Sequence, residues 1–388
     1  MSAKVKISAV IAVIALILSI RLIFFNGGEA AVFSVTAADT EEYLSYSYDS
    51  GASFYSFNSK DFFFCTKDGV KFMSSKGGPH WEEIISLTSP VLYGKCDIIA
   101  VGESRGRTVY VFNTLGKIME RKFNEPMLSF SVNKSGYLTV ILQTASGYRV
   151  ETYSPGSESA VWQYVMVKPN VYPVSADTSP DGKVTAVSLL DLTPDARHSM
   201  TSQILFMYTN ESDALKVESA DGIFAGETLT DQIARVYFMD TRLLAVSDKT
   251  IAAYSLGGKD KIKTDWQFPL QNEISRFCLY GEAGFCFITG EPLPDAAEPQ
   301  NVGVLNFYGM NGRRTGKFDS DGGAEYLSMN WGDAIVGTGR DYVAVNSRGS
   351  LLWRYKAAAD LNQLIFLDNE NTALTVGSSG ASIIRRGA

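Results

Sequence analysis

Histidine is almost missing from this 388-residue chain, with only His80 and His198 present. Cysteine is scarce too, at Cys65, Cys96, Cys278 and Cys286, without a CxxC spacing. A structural zinc site gathers about four nitrogen or sulfur ligands, so no metal site is expected. Basic clusters are also lacking. With a net charge of −7 and no run of Lys and Arg large enough to track a phosphate backbone, a nucleic-acid partner is excluded. No nucleophilic triad is indicated either: His198 stands beside Arg197 and Ser199 with no third group in sight. Gly102-Glu-Ser-Arg-Gly106-Arg107 has no helix after it and reads as a hairpin turn rather than a phosphate loop. Gly377-Ser-Ser-Gly380 lacks the strand-to-helix context of a nucleophile elbow and is a turn as well.

What the chain has is apolar and aromatic residues punctuated by glycine. Its 45% apolar content, 34 glycines, 22 phenylalanines and 19 tyrosines favour strands joined by tight turns. The amino-terminal part differs. Ile7 to Phe25 holds one charge, Arg21, and as a helix would extend about 28 Å, enough for a bilayer core. Lys4 and Lys6 precede it and Glu29, Asp39, Glu41 and Glu42 follow, which orients the amino end inside. The expected organisation is a short cytoplasmic end (1–6), a transmembrane signal anchor (7–25), a linker with a ring-closing strand (26–52) and an extracellular domain (53–388). Cleavage near Gly28-Glu-Ala30 is the alternative.

The domain is repetitive. Asp333 to Ala357 shows three short strands and their turns in one copy, and similar apolar second strands begin near Asp61, Asp97, Gly136, Gly182, Thr241, Ala283 and Asn371. Their spacing, from 36 to 59 residues with a base close to 40, is that of four-stranded propeller blades. Trp81, Trp162, Trp266 and Trp353 all fall in the fourth strand of their copies. The expected fold is therefore all-β, a β-propeller of eight blades preceded by one transmembrane helix, or of seven if the irregular copy 182–240 is not a blade. The eighth copy lacks a fourth strand, which Ala31 to Thr36 is expected to supply, removing both open sheet edges. Cys278 and Cys286 flank a short turn and are expected to face each other across a hairpin, as buried free thiols or as a disulfide.

Two short strings carry a resemblance. Ser179-Pro-Asp-Gly-Lys183 resembles the first turn of bacterial WD-repeat-type propeller blades, and Asn346-Ser-Arg-Gly-Ser-Leu-Leu-Trp-Arg-Tyr355 resembles the fourth-strand motif of quinoprotein-like repeats. A single span followed by an exported propeller is similar to a family of membrane proteins of Firmicutes. The resemblance implies architecture. It implies no quinone cofactor, because those enzymes carry a vicinal Cys-Cys pair or equivalent and a carboxylate cluster that have no counterpart here.

Three long insertions, Asp191 to Ser202, Ala220 to Gln232 and Glu291 to Asn301, are read as b–c or blade-to-blade connections, which would place all three on one face. Their acidic residues, Asp191, Asp195, Asp221, Glu227, Asp231, Glu291, Asp295 and Glu298, with His198, form the expected binding surface. No catalytic residue is assigned. The expected function is a non-catalytic platform for another envelope protein or a wall component. The alternative is an envelope hydrolase or lyase with two carboxylates flanking a bond in the propeller pore.

Overall fold

In a computed structural model, the described residues are 33–36, 39–48, 51–193, 201–210, 222–229, 231–256, 261–292, 301–320, 324–368 and 372–386. The run Ile7 to Phe25 lies outside them. The described chain forms eight antiparallel sheets of four strands, one of them extended by a fifth. In seven blades the strands follow chain order from the inside outward, and are called a, b, c and d here. The a strands of neighbouring blades pack side by side around the axis. The eight b strands are Phe62–Thr66, Ile98–Glu103, Leu138–Gln143, Val184–Asp191, Arg242–Ser247, Gly284–Pro292, Asp333–Thr338 and Thr372–Val376. Each begins within two residues of its expected position, and the irregular copy is a true blade.

The reason is burial on both faces. A blade is sandwiched between two neighbours, so its middle strands lose the polar alternation of a one-sided sheet. Ile98 to Val101 and Leu138 to Leu142 are buried without a break. Outer strands keep the alternation, as in Pro79–Ile84 and Arg314–Asp319. Within the outer strands the tryptophans act as pegs between blades. Trp81 Nε1 donates to the Thr114 carbonyl in the next blade (3.0 Å) and its ring stacks on Phe112; Trp266 repeats this with the Met310 carbonyl (3.1 Å) and Phe285.

Closure differs from the expectation. The outer strand of blade 8 is Thr40–Ser47, antiparallel to Gly380–Arg386, while Phe33–Thr36 adds to blade 7 as a fifth strand, parallel to Leu351–Lys356. Packing explains the choice. Leu44, Tyr46 and Tyr48 pack into the cluster of Phe54, Phe62, Phe64, Leu374 and Ile383 that joins blade 8 to blade 1. The Tyr48 hydroxyl donates to the Gly377 carbonyl (2.7 Å). Ala31 and Val32 lie outside the described residues.

Candidate functional site

Alternating strand directions give the ring two faces. The a–b and c–d turns make the upper face; the b–c turns and blade-to-blade links make the lower one. An axial cavity of about 230 Å³ lies at the upper ends of the a strands, lined by residues of blades 1, 2, 5, 6 and 7. Five of its rings are Tyr55, Phe57, Tyr93, Tyr237 and Phe277, with Cys96, Cys278, Met239, Met329, Lys95 and Glu282 between them. Tyr237 stacks on Phe277 (5.6 Å), and the Arg235 guanidinium lies over the Tyr93 ring (5.9 Å). Gly94 gives Tyr55 its place, since a Cβ there would sit 2.5 Å from the ring. The Tyr55 hydroxyl then donates to the Cys96 carbonyl (3.1 Å). Burial pushes the Tyr55 and Tyr93 phenols far up and Tyr237 up to about 12, so all three stay neutral.

Three bridges cross the axis beside this cavity. Lys95, buried at the end of Pro90–Lys95 in blade 2, brings its ammonium 3.2 Å from Asp177 Oδ2 in blade 4 and donates to the Phe238 carbonyl in blade 5. Asp177 also accepts from the amides of Phe238 (2.8 Å) and Thr178 (2.9 Å). Burial pushes the Asp177 carboxyl up, while Lys95 and both amides oppose it. Lys134 of blade 3 pairs with Asp240 of blade 5 and lies 3.7 Å from Glu282 of blade 6, and the Asp240 amide donates to Glu282. The third bridge is made by loops. The a–b loop of blade 1 carries Phe57 against Gly281 in blade 6, and Asn58 exchanges hydrogen bonds with Asn330 and the Trp331 amide in blade 7. Asn58 and Trp331 hold positive φ (42° and 57°) at this junction.

Glu282 is the one carboxylate among the described lining residues, and its oxygens are taken by Lys134 and an amide. Ligand pockets for drug-sized molecules start at about 300 Å³, so this cavity suits one or two side chains. Cys278 and Cys286 lie directly opposite across their strand pair, as free thiols. The Cys286 thiol donates to the Met329 thioether (3.4 Å). Hydrogen bonding between the two cysteines holds the Cys278 thiol low, while burial pushes Cys286 up.

Of the acidic residues singled out in the sequence, Asp191, Glu227, Asp231 and Glu291 are among the described residues. Asp191 ends its b strand on the lower face, where hydrogen bonds from Thr193 keep its carboxyl below the usual range. Asp231, in the link to blade 5, accepts from the Thr250 hydroxyl. Glu227 is not in a loop: Ile223–Leu229 is the outer strand of blade 4. Most of the insertion read at Ala220 to Gln232 is therefore this strand, and the long connection of the blade is 209–222, between Thr201–Tyr208 and Ile223–Leu229, a c–d connection. Its described ends lie at the upper-face turn Ser179 to Lys183, through Thr209 to Gly182 and Lys183, and Tyr208 to Gly222. Glu291 belongs to Gly284–Pro292 by its backbone. Asp195, His198, Asp221, Asp295 and Glu298 lie outside the described residues.

Sequence reading passed over the residues that tie the a strands together. Ser131 and Asn133 in blade 3 donate to the carbonyls of Ala176 (2.7 Å) and of Thr178 and Ser179 in blade 4. Ser328 and Asn330 in blade 7 do the same to Leu364 and Phe366 in blade 8. The repeated strings Ser-Val-Asn and Ser-Met-Asn were the available signal.

Among solved structures, BamB from Moraxella catarrhalis matches with a TM-score of 0.51 at 13% identity, over 89% of this chain and 99% of that one. The β-propeller domain of Cps50 (Swd1) from Myceliophteria thermophila matches at 10% identity over 88% of this chain and 99% of that one, with a TM-score of 0.47. The BamB likeness agrees with the eight-bladed fold and extends no further than fold. None of the curated proteins matches the sequence. Residues 34–385, nearly the whole described ring, match the family of unknown function DUF5711, and the chain belongs to that family.

Proposed function

We propose that this protein is a non-catalytic platform held to the outer side of a cell membrane by Ile7 to Phe25, and that another envelope protein or wall component docks on its upper face. The observation that carries this reading is the axial cavity: five aromatic rings around a space the size of one or two side chains, roofed by Phe57 and rimmed by Glu282. Such a site receives an apolar or aromatic anchor from a partner and excludes water around it. The ring supplies rigidity, so docking costs little ordering. Two of the acidic insertions leave the lower face and offer that surface as a second contact for a basic partner.

Cys96 provides the test, because it lines the cavity and is half-buried, whereas Cys65 is fully buried and serves as an internal control. A membrane-impermeant maleimide applied to intact cells is expected to label Cys96 more slowly than in the purified chain, and at the purified rate once Tyr237→Ala removes part of the anchor site. Labelling at the purified rate in unmodified cells means that nothing covers the cavity. Absence of labelling until the cells are opened would overturn the outside location.

A further inference from the structure

Although no basic cluster shows in the sequence, the fold assembles one. The c–d turns of blades 6 and 7 contain Arg313 and Arg348, and the strands that follow them contain Arg314, Lys317, Arg354 and Lys356, all exposed. The two blades abut here: a Cβ on Gly316 would lie 2.3 Å from the Arg348 carbonyl carbon, and one on Gly349 (φ 84°) would lie 2.1 Å from the Lys317 carbonyl oxygen. Lys317 pairs with Asp319 (3.2 Å), while no described carboxylate forms an ion pair with Arg313, Arg314 or Arg348. The equivalent connections of blades 3 and 4 hold Glu158, Glu211, Asp213, Glu218 and Asp221 in sequence. In a chain of net charge −7, positive charge is thus gathered on one sector of the ring.

That sector is where the amino-terminal segment arrives. Phe33–Thr36 runs along the edge of blade 7, with Phe33 opposite Trp353 and Ser34 opposite Arg354. Seven residues, 26–32, separate Phe33 from the apolar run ending at Phe25. At full extension they span roughly 25 Å, so a bilayer holding that run must lie near the basic sector. Anionic headgroups attract juxtamembrane Lys and Arg, an effect that fades within a Debye length.

We infer that the basic sector of blades 6 and 7 rests against anionic lipid headgroups and sets the ring edge-on to the membrane, leaving the axial cavity accessible from the side. This rests on the membrane-tethered reading above. The test is hydrogen exchange of the full chain in nanodiscs of phosphatidylcholine alone or mixed with phosphatidylglycerol. Exchange over 310–318 and 347–356 is expected to slow by about threefold or more in the anionic discs, and to return to the neutral-disc rate in high salt and in Arg313→Glu/Arg314→Glu/Arg348→Glu. Equal exchange in the two lipids, protection unaffected by salt, or protection confined to other blades overturns the inference. Retention of the chain in the discs through an alkaline wash reports separately on the tether.

Discussion

Lys95 shows how much one side chain can hold. Its ammonium and the Asp177 carboxylate are both buried, and the pair is completed by the Phe238 carbonyl and two backbone amides. Removing one partner leaves an uncompensated buried charge, so Lys95→Met is expected to cost about 3–5 kcal/mol. Lys95→Met/Asp177→Asn keeps an oxygen for the two amides and removes the stranded charge, so much of that loss should return in urea unfolding. Loss in the double variant equal to or above the single one would mean that Asp177 is not the partner that matters. Asp333 gives a pH test at the same scale. Burial raises its carboxyl from 3.8 to about 6, so between those values the folded state binds more protons than the unfolded one. Stability from this group therefore falls as pH rises through that window, and the penalty is complete above about pH 6. Asp333→Asn should stabilise the ring near pH 7.5 by roughly 1 kcal/mol, a figure reduced because the site is half exposed. Its advantage should vanish below about pH 4, as read from thermal melts at the two pH values.

At the scale of elements, the two amino-terminal strands make unequal contributions. Removing residues through 39 strips the fifth strand from blade 7 and leaves an ordinary outer edge there. Removing residues through 48 also takes the partly buried Leu44, Tyr46 and Tyr48 out of the blade 8 to blade 1 cluster, at about 1 kcal/mol each, and reopens the ring. The shorter truncation should melt close to the parent, and the longer one should melt much earlier and aggregate. Near-equal melting of the two would contradict the placement of the clasp. The same strands show what sequence could convey. The eight b strands were legible because burial on both faces writes each as an unbroken apolar run. Ala31 to Thr36 looked like the clasp because it is apolar and β-branched. The real clasp, Thr40–Ser47, carries Glu41 and Glu42 toward solvent and breaks its alternation with a register shift between Glu42 and Leu44. Ile223–Leu229 was hidden for a similar reason, as a half-buried outer strand set in a long polar stretch.

The site was the least legible feature, and the whole molecule explains why. Tyr55, Tyr93, Tyr237, Phe277 and Met329 are spread over more than 270 positions and belong to five blades. Each looks like an ordinary strand aromatic or methionine until closure of the ring brings them around one axis. The acidic insertions drew notice because they are long and charged, but length in sequence carries no information about which face a connection leaves. With Lys134, the Asn58 loop and Phe57 bridging the upper face beside it, the cavity is a small socket rather than a wide pore, which favours recognition of a partner's side chain. The most direct measurement is photo-crosslinking in intact cells from p-benzoyl-phenylalanine placed at Phe57 on the upper face and, in parallel, at Leu192 on the lower one. The expected result is a discrete adduct from position 57 that disappears with Tyr237→Ala, with or without a second one from 192; an adduct from 192 alone, or one from 57 indifferent to Tyr237, would contradict docking at the axial cavity.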